Sequence, residues 1–333
     1  MDFPSWQKEN WSDYPGNPVI GLFGLDNDNA AIGDPQILVP GDFDSRWHAF
    51  YHGFYEETFI PYYHHLTSPD GVAWQIEDKW QWDFNPSFIF RDKGRFYLYY
   101  TAILGREPGA RRQYGCDMII RVKHTADFKN WSESTDLILP ELPWERECTP
   151  DFERIQARNP CVIKTHGGKY RLYYSAGTVK LEDCGYEEPR HIGFAEADSP
   201  LGPFTKHPSP ILSPDASIPH RNHGAGAIKV FGYGNGYLGL YNSIYTDEEN
   251  RSRSAINVLC SEDGVQFEEA PYNPIIPPTD GWKKALVYQL DLVRHEGGLR
   301  LYYNARSAWD GGMETIGFSV LENDTSGVYK LWE

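Results

Sequence analysis

Short apolar runs alternate with turn residues along this chain, and the runs recur as a fixed pair. The first run of each pair opens on a polar residue or a glycine, and the second is rich in aromatic residues and ends in tyrosine. The pairs occupy residues 34–38 and 48–51, 85–89 and 96–100, 159–163 and 170–174, 224–228 and 237–241, and 289–293 and 299–303. Five regularly spaced pairs predict five copies of one supersecondary unit.

The pattern continues in each unit with two further strands. A third strand, such as residues 62–66 or 191–195, leads into a turn where Asp and Gly supply hairpin chemistry, as in 68–74 and 261–267. A fourth strand follows, as in 136–139, 209–212 and 273–276. Four antiparallel strands repeated five times predict an all-β fold, a five-bladed β-propeller.

Two segments compete to complete the last blade. Residues 17–20 match the fourth strands of the other units, so they are predicted to fill the open place and close the ring. Residues 328–331 fit the same place. The stretches 1–16 and 140–157 are not assigned to any unit.

Composition narrows the class of protein. The 333 residues are 40% hydrophobic and 15% aromatic, with 31 Gly and 24 Pro, which suits a large core and many short strands. No low-complexity segment or charge block interrupts the repeat, so residues 1–333 are interpreted as one propeller domain.

Charge and cysteine usage bound the partners. A formal net charge of −16 argues against nucleic acid or an anionic membrane as partner and suits a carboxylate-lined site. The five cysteines lack C-x-x-C spacing, which predicts free thiols rather than a zinc cluster. The chain shows no signal peptide and no membrane-spanning stretch, so a cytoplasmic location is expected. The oligomeric state stays open.

Polar residues open the first strand of each unit. In a propeller these strands surround the central channel, so their openings converge on one end of it. The openings are Asp34, Asn85, Asn159, His223 with Gly224, and Gln289. Polar residues where packing favours apolar ones predict a binding site at this end of the channel. The alternative is that Asn-Pro and Asp-Pro only begin strands as turn caps.

The chain resembles the five-bladed propeller glycosidases, glycoside hydrolase family 43 and its relatives in families 32, 62, 68, 117 and 130. The resemblance spans the whole chain, and its specific residues are the Asp34-Pro35 opening, the Tyr97-Leu98-Tyr99-Tyr100 phrase and the turn from Asp127 to Trp131. It implies that Asp34 is the general base. It also implies an Asp at the third blade and a Glu acid at the fourth, but this chain has Asn159 and Asn222-His223 there. We therefore interpret it as a divergent member.

The general acid stays open between several residues. His223 qualifies if a neighbouring carboxylate raises its pKa, and a histidine acid is a feature proposed for family 117. Glu153, just upstream of the third blade opening, and Asp291, one strand alternation beyond Gln289, are the carboxyl alternatives. Glu56 is a further candidate.

The remaining polar residues near the openings are interpreted as sugar-binding. Arg158 and Arg221 stand directly before ring residues, and arginine suits sugar hydroxyls, a carboxylate or a phosphate, or alternatively a rim salt bridge. The predicted binding set is Asp83, Asn85, Arg158, Asn159, Arg221, Asn222 and Gln289. No cofactor or metal is predicted, although relatives often carry an axial calcium or sodium ion.

The resemblance implies a glycoside hydrolase that cleaves an oligosaccharide, releases a furanose-type or similarly small sugar and inverts the anomeric centre. Inversion requires the two catalytic groups to stand about 6.5–9.5 Å apart, whereas about 5 Å indicates retention. One alternative is a glycoside phosphorylase or transglycosidase. Another is a sugar-binding propeller without catalysis.

Overall fold

The structure is a computed structural model that describes residues 1–21, 31–55, 60–82, 84–103, 117–148 and 155–332. Its strands are β1 Ser12–Asp13, β2 Ala31–Leu38, β3 Trp47–Tyr55, β4 Ile60–Ser68, β5 Gln75–Trp80, β6 Phe84–Asp92, β7 Arg95–Ile103, β8 Met118–Thr125, β9 Thr135–Ile138, β10 Ala157–Lys164, β11 Tyr170–Leu181, β12 Tyr186–Ala197, β13 Thr205–Lys206, β14 Gly224–Tyr233, β15 Gly236–Thr246, β16 Ser252–Ser261, β17 Glu268–Glu269, β18 Leu286–His295, β19 Gly298–Arg306 and β20 Glu314–Leu321. Short 3₁₀ helices span Lys8–Asn10, Pro143–Arg146, Pro219–Arg221 and Gly281–Lys283.

The strands form the five blades that the repeat predicts. Blades 1 to 4 are β2–β5, β6–β9, β10–β13 and β14–β17, each a run of neighbouring antiparallel strands. Blade 5 combines β18, β19 and β20 with β1. The first strands of the blades surround the central channel. We call the end at which those strands begin the mouth, and the opposite end the far end.

The N-terminal segment closes the ring, as predicted. Ser12 and Asp13 pair with Val320 and Ser319 of β20, and Ile20 forms a bridge with Ile316 of the same strand. The rival segment lies elsewhere, because Tyr329 pairs with Gly232 of blade 4. The fourth place of blade 5 therefore belongs to residues from the start of the chain.

The repeated turn is held by its aspartate. In blade 1, Asp70 Oδ1 accepts the backbone N–H groups of Val72 and Ala73, both at 2.8 Å. Asp127 and Asp263 accept the equivalent pairs in blades 2 and 4. These bonds satisfy backbone donors that the hairpin leaves unpaired, which explains why Asp recurs at this point of the repeat.

The repeated tyrosines link neighbouring blades through those turns. The Tyr302 hydroxyl of blade 5 donates to the carbonyl of Gly71 in blade 1, at 2.8 Å, and Tyr173 of blade 3 donates to Gly264 of blade 4, at 2.7 Å. Both glycines have positive φ, and a Cβ on either would lie 2.8 Å from the tyrosine oxygen. The aromatic strand and the Asp-Gly turn are therefore two halves of one contact between blades.

Residues 328–332 close the far end of the channel. Lys330 Nζ donates to the carbonyl of Ile37 in blade 1, at 2.8 Å, and to Asp291 Oδ2 in blade 5, at 2.7 Å. The Leu331 carbonyl accepts the N–H of Lys164 in blade 3. Together with the Tyr329 pairing to blade 4, this segment joins four blades at the axis.

Within the described ranges, no helix is long and apolar enough to cross a bilayer. Cys148, Cys161, Cys184 and Cys260 are free thiols, as predicted, while Cys116 lies outside the described residues.

Candidate active site at the channel mouth

Each first strand is broken by a β-bulge at the mouth. Its pairing with the second strand shifts between residues 33 and 36, 84 and 87, 158 and 161, 224 and 227, and 287 and 290. Asp34 and Asn159 lie in these bulges with left-handed φ values of 57° and 55°. A bulge redirects a side chain out of the regular alternation, which makes the mouth a natural place for functional groups.

In blades 1, 2 and 3 the bulge begins at the openings named from the sequence, Asp34, Asn85 and Asn159. In blades 4 and 5 it begins at other residues. In blades 4 and 5 the positions equivalent to Asp34 are held by Ala225 and Tyr288, so His223 and Gln289 are not ring equivalents of Asp34. Neither blade has the Asp-Pro or Asn-Pro pair that marks the bulge in the first three. The alignment of the openings was therefore wrong there by one or two residues.

Asp34 is buried and its surroundings hold it in place. Its backbone N–H donates to Asn304 Oδ1 at 3.2 Å, and its Oδ2 lies 2.9 Å from His52 Nδ1. His52 Nδ1 makes no aligned hydrogen bond among the described residues, so this is a close polar contact rather than a directed hydrogen bond. In the part of the chain that the structure describes, Asp34 Oδ1 is buried without a hydrogen-bond partner. An unpaired buried carboxylate oxygen is a recognised mark of a functional site.

Two glutamates that the sequence analysis did not select accompany Asp34. Glu188 lies near the start of β12, opposite Val179, and Glu314 begins β20, where it forms a parallel bridge with Ala31 of β2. Burial, aided by the charge of Asp34, raises the pKa of each carboxyl to about 7. The Glu314 charge also raises the pKa of Glu188. Three carboxyl groups thus share one electrostatic environment at the mouth.

The two glutamates differ in how they are held. Asn304 Nδ2 donates to Glu314 Oε1 at 2.5 Å, and Arg306 Nη1 lies 4.0 Å from the other oxygen. Glu188 has no hydrogen-bond partner among the described residues, and its strongest opposing influence is the Arg158 charge, which lowers its pKa. Glu314 is therefore held by Asn304, whereas no such hydrogen bond holds the Glu188 carboxyl within the described residues.

Three of the predicted binding residues lie at the bulges of first strands at the mouth. Arg158 Nη2 donates to the Glu187 carbonyl at 2.8 Å, which holds the guanidinium beside Glu188. Asn159 Nδ2 approaches Ser175 Oγ at 3.4 Å, and its N–H donates to Thr101. Gln289 is buried, and its Nε2 lacks a hydrogen-bond partner within the described residues.

Arg221 and Asn222 are engaged elsewhere. Arg221 Nε lies 3.0 Å from Glu269 Oε1, and its Nη1 donates to the Ser213 carbonyl. Asn222 is exposed and exchanges two hydrogen bonds with the backbone of Thr246. Arg221 thus forms a salt bridge with Glu269, which was the alternative to a sugar-binding role. The Arg221 salt bridge and the Asn222 hydrogen bonds are both made to blade 4.

His223 and Asp291 lack the surroundings of a proton donor at the mouth. Burial lowers the pKa of His223, which disfavours the imidazolium form that a histidine acid requires. Asp291 is buried in the channel, where its Oδ2 accepts from the N–H of Ile37 and from Lys330. Glu56, Asp83 and Glu153 lie outside the described residues, and so does the side chain of Asn85.

The axial metal that the resemblance allows finds no ligand set in the described ranges. No group of three or more His, Cys, Asp or Glu side chains there is arranged around a common point. The channel below the mouth instead contains Lys229, whose Nζ donates to the Pro160 carbonyl at 3.2 Å, and the Lys330–Asp291 pair.

Comparison with known proteins supports the fold. No protein-family model and no curated protein matches the sequence. A solved structure of a glycosyl hydrolase from Bacteroides ovatus superposes with a TM-score of 0.65 at 16% identity, covering 99% of both chains. The chain has the fold of the five-bladed glycoside hydrolases. A thermostable family-43 glycoside hydrolase gives a TM-score of 0.61 at 14% identity, covering 94% of this chain and 95% of that one. A family 117 glycoside hydrolase from the marine bacterium Zobellia galactanivorans gives 0.59 at 17% identity, covering 94% and 90%.

Proposed function

We propose that this protein is a glycoside hydrolase in which Glu188 is the general acid and Asp34 the general base. The observation that carries the proposal is the Glu188 carboxyl, whose pKa is raised to about 7, in the same electrostatic environment as Asp34, whose buried Oδ1 has no hydrogen-bond partner among the described residues. Two such carboxyl groups are the minimum that glycoside hydrolysis requires. The shared fold with glycoside hydrolases adds support.

Glu188 has the properties that an acid needs. A carboxyl with its usual pKa is ionised at neutral pH and cannot donate, but burial raises the pKa of Glu188 to about 7. Near that pH about half of the molecules hold the proton, and transfer to the leaving oxygen remains favourable. Arg158 opposes the shift and keeps the pKa from rising further.

Asp34 takes the other catalytic role, that of the general base. As base, it takes a proton from water while the water oxygen attacks the anomeric carbon. Glu188 gives its proton to the departing glycosidic oxygen as the carbon–oxygen bond breaks. The product sugar then has the inverted configuration, and the two carboxyls exchange their protonation states with solvent before the next turnover.

The substrate class follows from the groups around this pair. Arg158, Asn159 and Gln289 offer donors suited to sugar hydroxyls at a channel mouth. We propose a short oligosaccharide with a furanose-type residue at the cleaved bond. Phosphorolysis is less favoured because Arg221, one of the two arginines suited to phosphate, is occupied by Glu269.

Turnover of a defined panel tests the proposal. Arabino-, fructo-, galacto- and xylo-oligosaccharides, with their aryl glycosides, are incubated with wild type, Asp34→Asn and Glu188→Gln, with and without phosphate. Loss of turnover in both variants supports the assignment, and phosphate dependence would reassign the reaction to phosphorolysis. The anomer released, followed by NMR, distinguishes inversion from retention. Sugar binding without turnover by wild type would indicate a non-catalytic propeller.

A further inference from the structure

Glu314 lies at the seam between blades 5 and 1, directly beside the segment that carries Asp34. The parallel bridge between Glu314 and Ala31 places it three residues from Asp34 along β2. Its side chain is 15% exposed. Neither the acid nor the base role proposed above uses it, so its buried carboxyl requires its own explanation.

Asn304 connects Glu314 to Asp34. One end of its amide donates to Glu314 Oε1 at 2.5 Å, and the other end accepts the Asp34 N–H at 3.2 Å. An amide that donates at one end and accepts at the other can satisfy both contacts in only one orientation. Glu314 therefore determines which way the Asn304 oxygen faces.

Gly33 leaves room for this arrangement. A Cβ at Gly33 would lie 2.9 Å from Asn304 Nδ2 and 3.3 Å from Glu314 Oε1, closer than the amide and carboxyl tolerate. Asp34 itself holds a left-handed φ of 57°, a strained conformation for a residue other than glycine. The hydrogen bond from its N–H to Asn304 supports that conformation.

We propose that Glu314 is a positioning residue for Asp34: acting through Asn304, it holds the aspartate in its left-handed bulge and tunes the charge at the mouth. This inference rests on the proposed function for its catalytic consequence, but the arrangement itself is testable without turnover. The titratable groups that act most strongly on Glu314 are Arg306 from β19, His52 from β3 and Asp34 from β2, and Glu314 in turn acts on Glu188 from β12.

The charge on Glu314 has a defined effect on Glu188. Ionised Glu314 disfavours ionisation of Glu188 and so keeps its proton in place to a higher pH. Removing that charge must therefore move the pKa of Glu188 downward. In an active enzyme the alkaline limb of the pH–rate profile should move to lower pH together with the pKa of Glu188.

Two substitutions separate charge from positioning. Glu314→Gln keeps an acceptor for Asn304 but removes the charge. Glu314→Met has a side chain of similar length but removes both the acceptor for Asn304 and the charge. Glu296→Gln, at an exposed turn of the same blade, is the matched control.

The first readout is independent of turnover. Carboxyl ¹³C NMR titration is expected to show the pKa of Glu188 lower in Glu314→Gln than in wild type, by on the order of half a pH unit. A crystal structure of Glu314→Met is expected to show Asp34 without its bond to Asn304. An unchanged Glu188 titration together with an unmoved Asp34 overturns the proposal even if the protein proves inactive.

The second readout applies to the active enzyme. Glu314→Gln is expected to move the alkaline limb of kcat/KM to lower pH, whereas Glu314→Met lowers kcat by about 10- to 100-fold with little change in KM. A purely structural residue would lower the Tm and leave the pH profile unchanged. If Glu314→Gln instead abolishes turnover as completely as Glu188→Gln, Glu314 touches the reacting atoms and the positioning role is wrong. Absence of turnover by wild type would refute the proposed function alone.

Discussion

The imidazole of His52 lies 2.9 Å from the carboxylate of Asp34, and both residues come from adjacent strands of blade 1. His52 pairs with Gly33, the residue directly before Asp34, across these two strands. Asp34 is therefore braced from two sides, by His52 at its side chain and by Asn304 at its backbone N–H.

Replacing His52 tests the bracing of the side chain. We expect His52→Ala to lower kcat by about 10- to 100-fold, because small misplacements of a catalytic group carry penalties of that size. KM should change much less, since the substrate-binding arginine and amides stay in place. Steady-state kinetics on the best substrate provide the measurement, with His124→Gln in blade 2 as control. Wild-type kcat in His52→Ala would show that the contact does not orient the base.

Replacing Glu188 tests the acid. Glu188→Gln keeps the size of the side chain but has no proton to donate, so turnover of natural oligosaccharides should fall by about 10²- to 10⁴-fold. Aryl glycosides with good leaving groups need little protonation and should be affected much less. The alkaline limb of the pH profile should disappear as well.

The neighbouring Glu187 offers a matched control for that variant. Its carboxylate accepts a hydrogen bond from Gln156 at 3.1 Å, and its strand alternation directs it away from the side that Glu188 faces. Glu187→Gln is expected to retain turnover within a few fold. Equal losses in both variants would mean that blade 3 was disturbed and that Glu188 is not the acid.

The repeat could be predicted from the sequence because its signals are local. The Asp turn and the strand that ends in tyrosine each occupy a few consecutive residues, and the contact between them recurs from blade to blade. Asp34 was selected for the same reason, since Asp-Pro marks its bulge.

The rest of the candidate site depends on contacts between distant parts of the chain. Glu188 and Glu314 belong to third strands of different blades, and only ring closure brings them to Asp34. The one local signal for Glu188 was a pair of acidic residues directly before Pro189, near the start of a strand. His223 was selected from its place in the repeat, but its burial disfavours the charged form that an acid requires.

Two buried histidines should make the fold sensitive to acid. His64 stacks on Tyr51 and His65 on Phe50, and burial lowers the pKa of both to about 3. In the unfolded chain the same groups titrate near pH 6.5, so between these values the unfolded state binds more protons. The two histidines therefore cost the folded state no stability above about pH 6.5, and their cost to the free energy of unfolding grows as the pH falls toward 3.

The slope of that loss can be measured. Each histidine contributes up to about 1.4 kcal/mol per pH unit within the window, so the pair contributes up to about 2.7. Urea unfolding at a series of pH values from 7.5 to 4.5 provides the free energy of unfolding. His64→Phe keeps the stack on Tyr51 and should reduce the histidine contribution to the slope by about half. A free energy that stays constant over this range would show that these rings are not held neutral.

The segment that closes the far end of the channel should contribute measurably to stability. Lys330 Nζ lies 2.7 Å from Asp291 Oδ2, and Asp291 is only 3% exposed. Lys330→Met leaves a buried carboxylate whose remaining hydrogen bond comes from the Ile37 N–H. We expect a loss of about 1–3 kcal/mol in the free energy of unfolding, between the values for exposed and fully buried ion pairs.

Two further variants separate the ion pair from the loss of a side chain. Lys180→Met breaks an exposed pair with Glu182 and should change the free energy of unfolding by less than about 1 kcal/mol. Adding Asp291→Asn to Lys330→Met removes the stranded charge while keeping an acceptor for the Ile37 N–H, so part of the lost stability should return. If the double variant is less stable than Lys330→Met by the full cost of the single Asp291→Asn change, the two residues are not coupled. The segment would then hold the ring through packing and backbone pairing alone.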